Sequence, residues 1–238
     1  MNSFADSVAR AAQLVAGADP QLLQVVGLSL AVSASACVLA SALGLLGGAA
    51  LAVARFPGRG ALLVLLNTLL ALPSVVVGLV VYLLLSRAGP LGELGILFTP
   101  SAMVVAQTLL VLPIVAALAR QRIEDALHEH GEQLRSLGAS RFASALVLAW
   151  HERLGLLTVA LVAFGRAISE VGAVMIVGGN IAGVTRVMTT TIALETSKGD
   201  LPLALALGLV LLGVVLVLNV GIGLLRRGHG GGMREVAA

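Results

Sequence analysis

Two ionisable residues lie where charge is expensive. Arg166 and Glu170 fall four residues apart in Leu154–Val177, a run with no other Asp, Glu, Lys or Arg. A stretch of that length crosses about 30 Å of hydrocarbon as a helix, which puts Arg166 near its middle. A lone charge there costs about 2.5–3.5 kcal/mol on insertion scales, so the two are expected to share one inward helix face. Two chemistries fit them and the intervening Ser169. They line a polar path or pair in a state-dependent way, or they form a static pair that only holds structure.

A second group is Glu132-Gln-Leu-Arg-Ser-Leu-Gly138-Ala-Ser-Arg141, a charged amphipathic segment within 119–153, the one long hydrophilic stretch. Ala119–Leu137 is expected to be helical, Gly138 to take the positive φ of a helix C-cap, and Ser140–Arg153 to form a second amphipathic helix. Glu132 is expected to bond or pair locally and hold the turn. Such a projection offers a soluble partner a surface; an ordinary charged loop is the plainer reading. A third group is Gly178-Gly-Asn-Ile-Ala-Gly-Val-Thr-Arg-Val-Met-Thr-Thr-Thr191. Asn180, Arg186, Thr189 and Thr190 carry donors suited to an anion. A solvated loop or a platform for an external protein fits these residues equally well.

The absences narrow the classes. No Gly-x-x-x-x-Gly-Lys-Ser/Thr loop exists, and the sole lysine, Lys198, follows Thr196-Ser197 and no glycine-rich turn. The chain is therefore expected not to hydrolyse ATP itself. His128, His130, His151 and His229 are scattered, and no Ser/His/Asp arrangement is recognisable. No metal site is expected. Cys37 is the only cysteine, so an intrachain disulfide is excluded and a small packed side chain is the expectation.

The elements that must position these groups are membrane helices. Of 238 residues, 58% are hydrophobic and 11% charged, against about 25% charged in soluble domains. Four runs lack charge altogether: Pro20–Ala54, Gly60–Ser86, Leu94–Ala119 and Leu201–Leu225. With Leu154–Val177 they predict five spans. Span two is expected over Ala61–Leu85, span three over Ser101–Leu118 and span five over Leu203–Leu225. Pro73 and Pro113 mark kinks, either static or lining a cavity. Gly44-x-x-x-Gly48 and nearby serines and alanines mark a close helix contact, within the chain or across a dimer. Phe4, Val8, Ala11, Ala12 and Val15 suggest a short interfacial helix, and no cleavable signal is expected.

Charge orients the spans. With the N-terminus outside, Arg55, Arg59, Arg120, Arg122, Arg135, Arg141, Arg153, Arg226, Arg227 and Arg234 are cytoplasmic. Only Arg10, Arg87, Arg186 and Lys198 are then external, as the positive-inside rule requires. The basic balance follows topology and calls for no nucleic acid.

Glu132 and Gly138, six residues apart in the long inside loop, resemble the Glu-Ala-Ala-x-x-x-Gly loop of binding-protein-dependent ABC permeases. Leu148 falls ten residues after Gly138, where that family often has Ile. Trp150-His151 stands where it usually has Leu-Pro, a departure at the end of the second short helix. Gly165-Arg-Ala-Ile-Ser-Glu-Val-Gly-Ala-Val-Met-Ile-Val-Gly-Gly-Asn-Ile181 resembles the oxyanion branch of type I importers. Ser169-Glu-Val-Gly172, Val187-Met-Thr-Thr-Thr191, Ala193-Leu-Glu-Thr-Ser-Lys-Gly-Asp200 and Asn67-Thr68…Leu72-Pro73…Val77-Gly78-Leu79-Val80-Val81-Tyr82 look most like tungstate permeases.

The resemblance implies an all-α integral membrane fold of about five helices, N-out and C-in, in the cytoplasmic (inner) membrane. It implies a short external segment over 1–21, a type I transmembrane domain over 22–225 with its coupling loop at 119–153, and a basic cytoplasmic tail over 226–238. The expected activity is oxyanion import, tungstate first and molybdate or sulfate as alternatives. The expected partners are a separate ABC ATPase that binds ATP and Mg, an extracytoplasmic oxyanion-binding protein, a second permease copy and lipid. This chain is expected to hold no cofactor. Glu132, Ser136, Leu137, Gly138, Ala139, Ser140 and Arg141 would meet the ATPase. Arg166, Ser169 and Glu170 would line the pore, and Asn180, Arg186, Thr189 and Thr190 the external path. A gradient-driven secondary transporter and a non-transporting scaffold are the other classes; the first would favour inverted repeats, and no convincing one is seen.

Overall fold

The computed structural model describes residues 8, 9, 12, 13, 16, 17 and 19–230, with 225–230 described by backbone alone. Phe4, Ala11 and Val15 of the expected interfacial helix, and residues 231–238 of the basic tail, lie outside the described residues. Among the described residues there is no strand. The elements are α1 (Pro20–Val53), α2 (Arg59–Leu70), α3 (Ser74–Leu85), a 3-10 turn (Gly92–Leu94), α4 (Pro100–Ser136), α5 (Arg141–His151), α6 (Arg153–Ile168), α7 (Gly172–Gly178), α8 (Met188–Lys198) and α9 (Leu201–Gly230).

Three of these, α1, α4 and α9, are long and apolar enough to cross a membrane alone, and the number reaches five if each of two bent pairs, α2–α3 and α5–α6, is one span. The apolar window of α4 is 67% buried, against 28% in α1 and 22% in α9. So α4 is packed on most sides, while α1 and α9 leave most of their apolar surface for lipid. The expected span three and the first loop helix are one element, because α4 runs unbroken for 37 residues through Pro113.

Two expected spans are each divided. The segment 61–85 is α2 and α3, parted at 71–73, with Pro73 as the N-cap of α3 at φ −62° and ψ 130°. Proline bars the preceding residue from helical φ/ψ and gives up no bond at a helix start, so the chain breaks there. Leu154–Val177 is α6 and α7, parted at 169–171. The stretch 178–202, expected as an external segment, holds α8, where Met188, Thr189, Thr190 and Thr191 are buried.

The helices contribute to two compact units. The first comprises Met1–Ala36, Pro73–Thr108 and Gly165–Val217. Its core gathers Val32, Val81, Leu85, Ala102, Met103, Ala106, Ala173, Val174, Val177 and Val187. Here α3 packs on α7 so closely that a Cβ on Gly78 would stand 2.8 Å from Ala173 Cα. The second unit comprises Cys37–Leu72, Leu109–Phe164 and Leu218–Ala238. The Gly44/Gly48 stripe resolves inside this chain: both glycines, on α1, pack against α4, and a Cβ on Gly48 would come within 2.5 Å of Ala116 O. Close backbone approach of this kind gives the van der Waals packing that helps hold helices together in lipid.

Candidate functional site

In the second unit, α4 ends at Ser136 and the chain turns back into α5. Gly138 has φ 81°. Its N–H donates to Arg135 O at 2.9 Å, and the N–H of Ala139 donates to Leu134 O at 3.0 Å. This pair of bonds closes the helix on a left-handed residue and satisfies carbonyls that would otherwise be orphaned. Ser140 then caps α5, its Oγ accepting the Ala143 N–H at 3.2 Å. Ser136 donates to Gln133 O at 2.8 Å. His130 meets His151 with ring centroids 5.6 Å apart, which ties α4 to α5.

The seven expected docking residues therefore form one hairpin tip. Leu137 is 82% exposed, and Glu132, Ser136, Gly138, Ser140 and Arg141 are exposed with it while Ala139 is half-buried. One expectation fails. The Glu132 side chain makes no hydrogen bond or ion pair among the described residues; backbone bonds and the Ser140 cap hold the turn. Glu132 instead lines an open cavity of about 480 Å³ with Arg55, Arg59, Glu124, Arg135 and Arg141.

Sequence reasoning missed the group beside this cavity. Arg59 donates through Nε and Nη2 to Leu51 O at 3.1 Å each and pairs with Glu124. Arg120 meets the other oxygen of Glu124 at 2.5 Å. The one sequence signal was the i,i+4 spacing of Arg120 and Glu124. The network fastens the end of α1 and the start of α2 to α4.

In the first unit, Arg166 Nη1 lies 2.6 Å from Glu170 Oε2, with side-chain exposures of 41% and 2%. The pair forms as its spacing predicts, but not on one helix, because Glu170 stands in the break after α6. Its second oxygen accepts the Ala173 N–H at 3.2 Å and so caps α7. Its carbonyl accepts the Thr189 hydroxyl at 2.7 Å. Ala167 O, left free by the break, accepts from Gln107 Nε2 at 2.9 Å and from the Glu170 N–H at 3.1 Å. A broken membrane helix needs such substitutes for its lost bonds.

Of the three expected pore-lining residues, Glu170 is a buried anchor, Arg166 is half-buried and Ser169 is exposed. Behind Glu170 lies a polar void of about 10 Å³ lined by Ser29, Ser33, Gln107 and Thr189. That is room for about one water and excludes a tetrahedral oxyanion. Gln107, which lines it, has a buried Oε1 without a protein hydrogen-bond partner.

Thr189 and Thr190 do not face outward. Thr190 is fully buried, its Oγ accepting the Val187 N–H at 3.1 Å at the start of α8. Polar loop residues read as solvated in sequence; these hydroxyls satisfy backbone groups instead. Asn180 and Arg186 remain half-buried. Asn180 has φ 51°, and its carbonyl accepts from Arg186 Nη2 at 3.3 Å. Thr185 braces the turn between Gly178 O, at 2.5 Å, and the Ile181 N–H, at 2.9 Å.

The geometry thus supplies an exposed hairpin tip and a half-buried arginine at a helix break. The chain is 40% identical over 219 residues to the tungstate uptake system permease protein TupB of Peptoclostridium acidaminophilum, covering 92% of this chain and 96% of that protein. It is also 40% identical to a probable anion ABC transporter permease protein of Haloferax volcanii, over 83% of this chain and 88% of the other. The sulfate transport system permease protein CysT of Escherichia coli matches at 31%, over 89% of this chain and 79% of that one. No family model matches the chain.

Proposed function

This chain belongs to the anion ABC transporter permease family, and on that premise we propose that it is the membrane subunit of a tungstate importer. The carrying observation is 40% identity across 92% of the chain to a tungstate uptake permease, against 31% to a sulfate permease. It is a multi-pass protein of the cytoplasmic membrane.

In this reading a separate ATPase binds ATP and Mg and grips the hairpin tip at Leu137–Arg141, with Glu132 and Ser136 on the preceding turn. The rigid closure of α4 by Gly138 suits a lever, since a tip that frayed would dissipate the ATPase's motion. The N-terminus and the 178–187 turn lie outside, where a binding protein delivers the oxyanion. Asn180 and Arg186 meet it first. Arg166 and Ser169 line the path between two permease copies, and Glu170 holds Arg166 in place. Half-neutralised by Glu170, Arg166 attracts an anion without trapping it, which conduction requires.

The test is reconstitution of the chain with its ATPase and binding protein in proteoliposomes, followed by uptake of tungstate. ATP-dependent uptake that molybdate and sulfate inhibit only weakly is expected. Uptake of sulfate or molybdate in preference to tungstate would overturn the substrate, and gradient-driven flux by the chain alone would overturn the importer.

A further inference from the structure

The second helix of the cytoplasmic hairpin has a face that the docking tip does not use. Phe142, Leu146, Val147 and Trp150 of α5 are 52–75% exposed, while Ser144, Ala145 and Leu148 on its opposite face are buried. At 100° per residue the exposed four make one continuous stripe without a charged side chain. Exposed apolar stripes of this kind mark an unfilled contact.

We propose that this face lies in the cytoplasmic leaflet of the bilayer, with lipid as its partner rather than the ATPase; only the side of the membrane is taken from the importer reading. Three observations select lipid. First, α5 is bent by 71° from α6. With α6 crossing the bilayer, α5 runs close to the membrane plane, as interfacial amphipathic helices do. Second, an arginine closes the stripe at the end away from the tip. Arg153 sits 5.4 Å over the Trp150 ring and donates to Trp150 O at 3.0 Å. Indole and guanidinium together are the groups that settle at headgroup phosphates. Third, the apolar exposure does not stop at the bend, since α6 also exposes Leu157 and Val162.

The hairpin is then divided in role. Its tip belongs to the ATPase, and its returning helix floats in the leaflet. The leaflet is the bearing on which the lever turns, so ATPase motion is transmitted through a helix whose energy depends on lipid depth.

Trp150 is the only tryptophan of the chain, so its fluorescence reads the face directly. The full chain is reconstituted in phosphatidylcholine vesicles with bromines on the acyl chains near the headgroup or near the bilayer centre, and W150F provides the background. Shallow bromines are expected to lower Trp150 emission by about half and deep bromines to lower it less, as interfacial depth requires. Bound ATPase is expected to leave that quenching in place. The proposal is overturned if brominated lipid leaves emission unchanged while aqueous iodide quenches it, or if bound ATPase abolishes the lipid quenching. Quenching without ATPase needs no transport, so a chain that fails to bind ATPase counts against the importer reading and not against this face.

Discussion

Arg166 and Glu170 are in contact at 2.6 Å, yet the arginine side chain is 41% exposed and the glutamate 2%. This asymmetry decides which substitution is worse. Arg166→Gln strands a buried carboxylate, which costs about 3 kcal/mol where no solvent reaches it and less here because its capping bond to Ala173 remains. Glu170→Gln keeps an oxygen for the cap and leaves Arg166, 41% exposed, to the proposed polar path, a loss of about 1 kcal/mol. Thermal unfolding of the purified chain in nanodiscs should rank Arg166→Gln well below Glu170→Gln. The double variant should be more stable than the sum of the singles. Additive losses would show that the pair is not coupled.

The turn at Gly138 gives a prediction in which shape and space are separable. Its φ is 81°, and a Cβ there would meet nothing within 4 Å. The penalty for a side chain is therefore conformational, about 1 kcal/mol for most residues and least for Asn. Gly138→Asn should insert and bind the ATPase almost as the parent does. Gly138→Val should insert but lose ATPase co-purification, because a β-branched residue resists left-handed φ. Equal ATPase binding by all three would remove the hairpin from the docking surface.

The legible parts of this chain were those set by local rules. Gly138 was readable because a helix that must stop and reverse needs a left-handed residue. The Arg166–Glu170 contact was readable from spacing, but the break between them was not. Ser169-Glu-Val171 contains no proline, and the bonds that replace the lost helix turn come from Gln107 and Thr189, 60 and 19 residues away along the chain. Arg59 and Glu124 are 65 residues apart, so nothing local joins them. Thr189 and Thr190 were misread because a hydroxyl in a polar run looks the same whether it faces water or caps a buried backbone.

Those threonines separate structure from transport. Thr190→Val removes the acceptor for the Val187 N–H inside the core, which costs about 1–3 kcal/mol. It should lower thermal stability while leaving the KM for uptake unchanged in the molecules that fold, and Thr190→Ser should restore stability. Arg186→Gln should do the reverse: raise the KM for tungstate with little change in unfolding temperature. A stability loss in Arg186→Gln equal to that of Thr190→Val would make Arg186 a structural residue.

The contact between α1 and α4 carries its own control. Gly48 and Gly47 are neighbours on α1, but a Cβ on Gly48 would lie 2.5 Å from Ala116 O and 2.9 Å from Ala119 Cβ, whereas one on Gly47 would meet nothing within 4 Å. Neither atom facing Gly48 belongs to a flexible side chain, so α4 must move as a unit to admit a methyl group. Overpacking of this sort costs about 1–3 kcal/mol. Gly47→Ala gains helix propensity of about 1 kcal/mol or less in a membrane helix and strains nothing. Thermal unfolding in detergent should therefore fall for Gly48→Ala and hold or rise for Gly47→Ala. Because α4 continues unbroken from this contact to Ser136, a shift at Gly48 also displaces the hairpin tip. Gly48→Ala should reduce ATPase stimulation even at temperatures where it is fully folded, and normal stimulation in that variant would mean that the tip moves independently of the α1 contact.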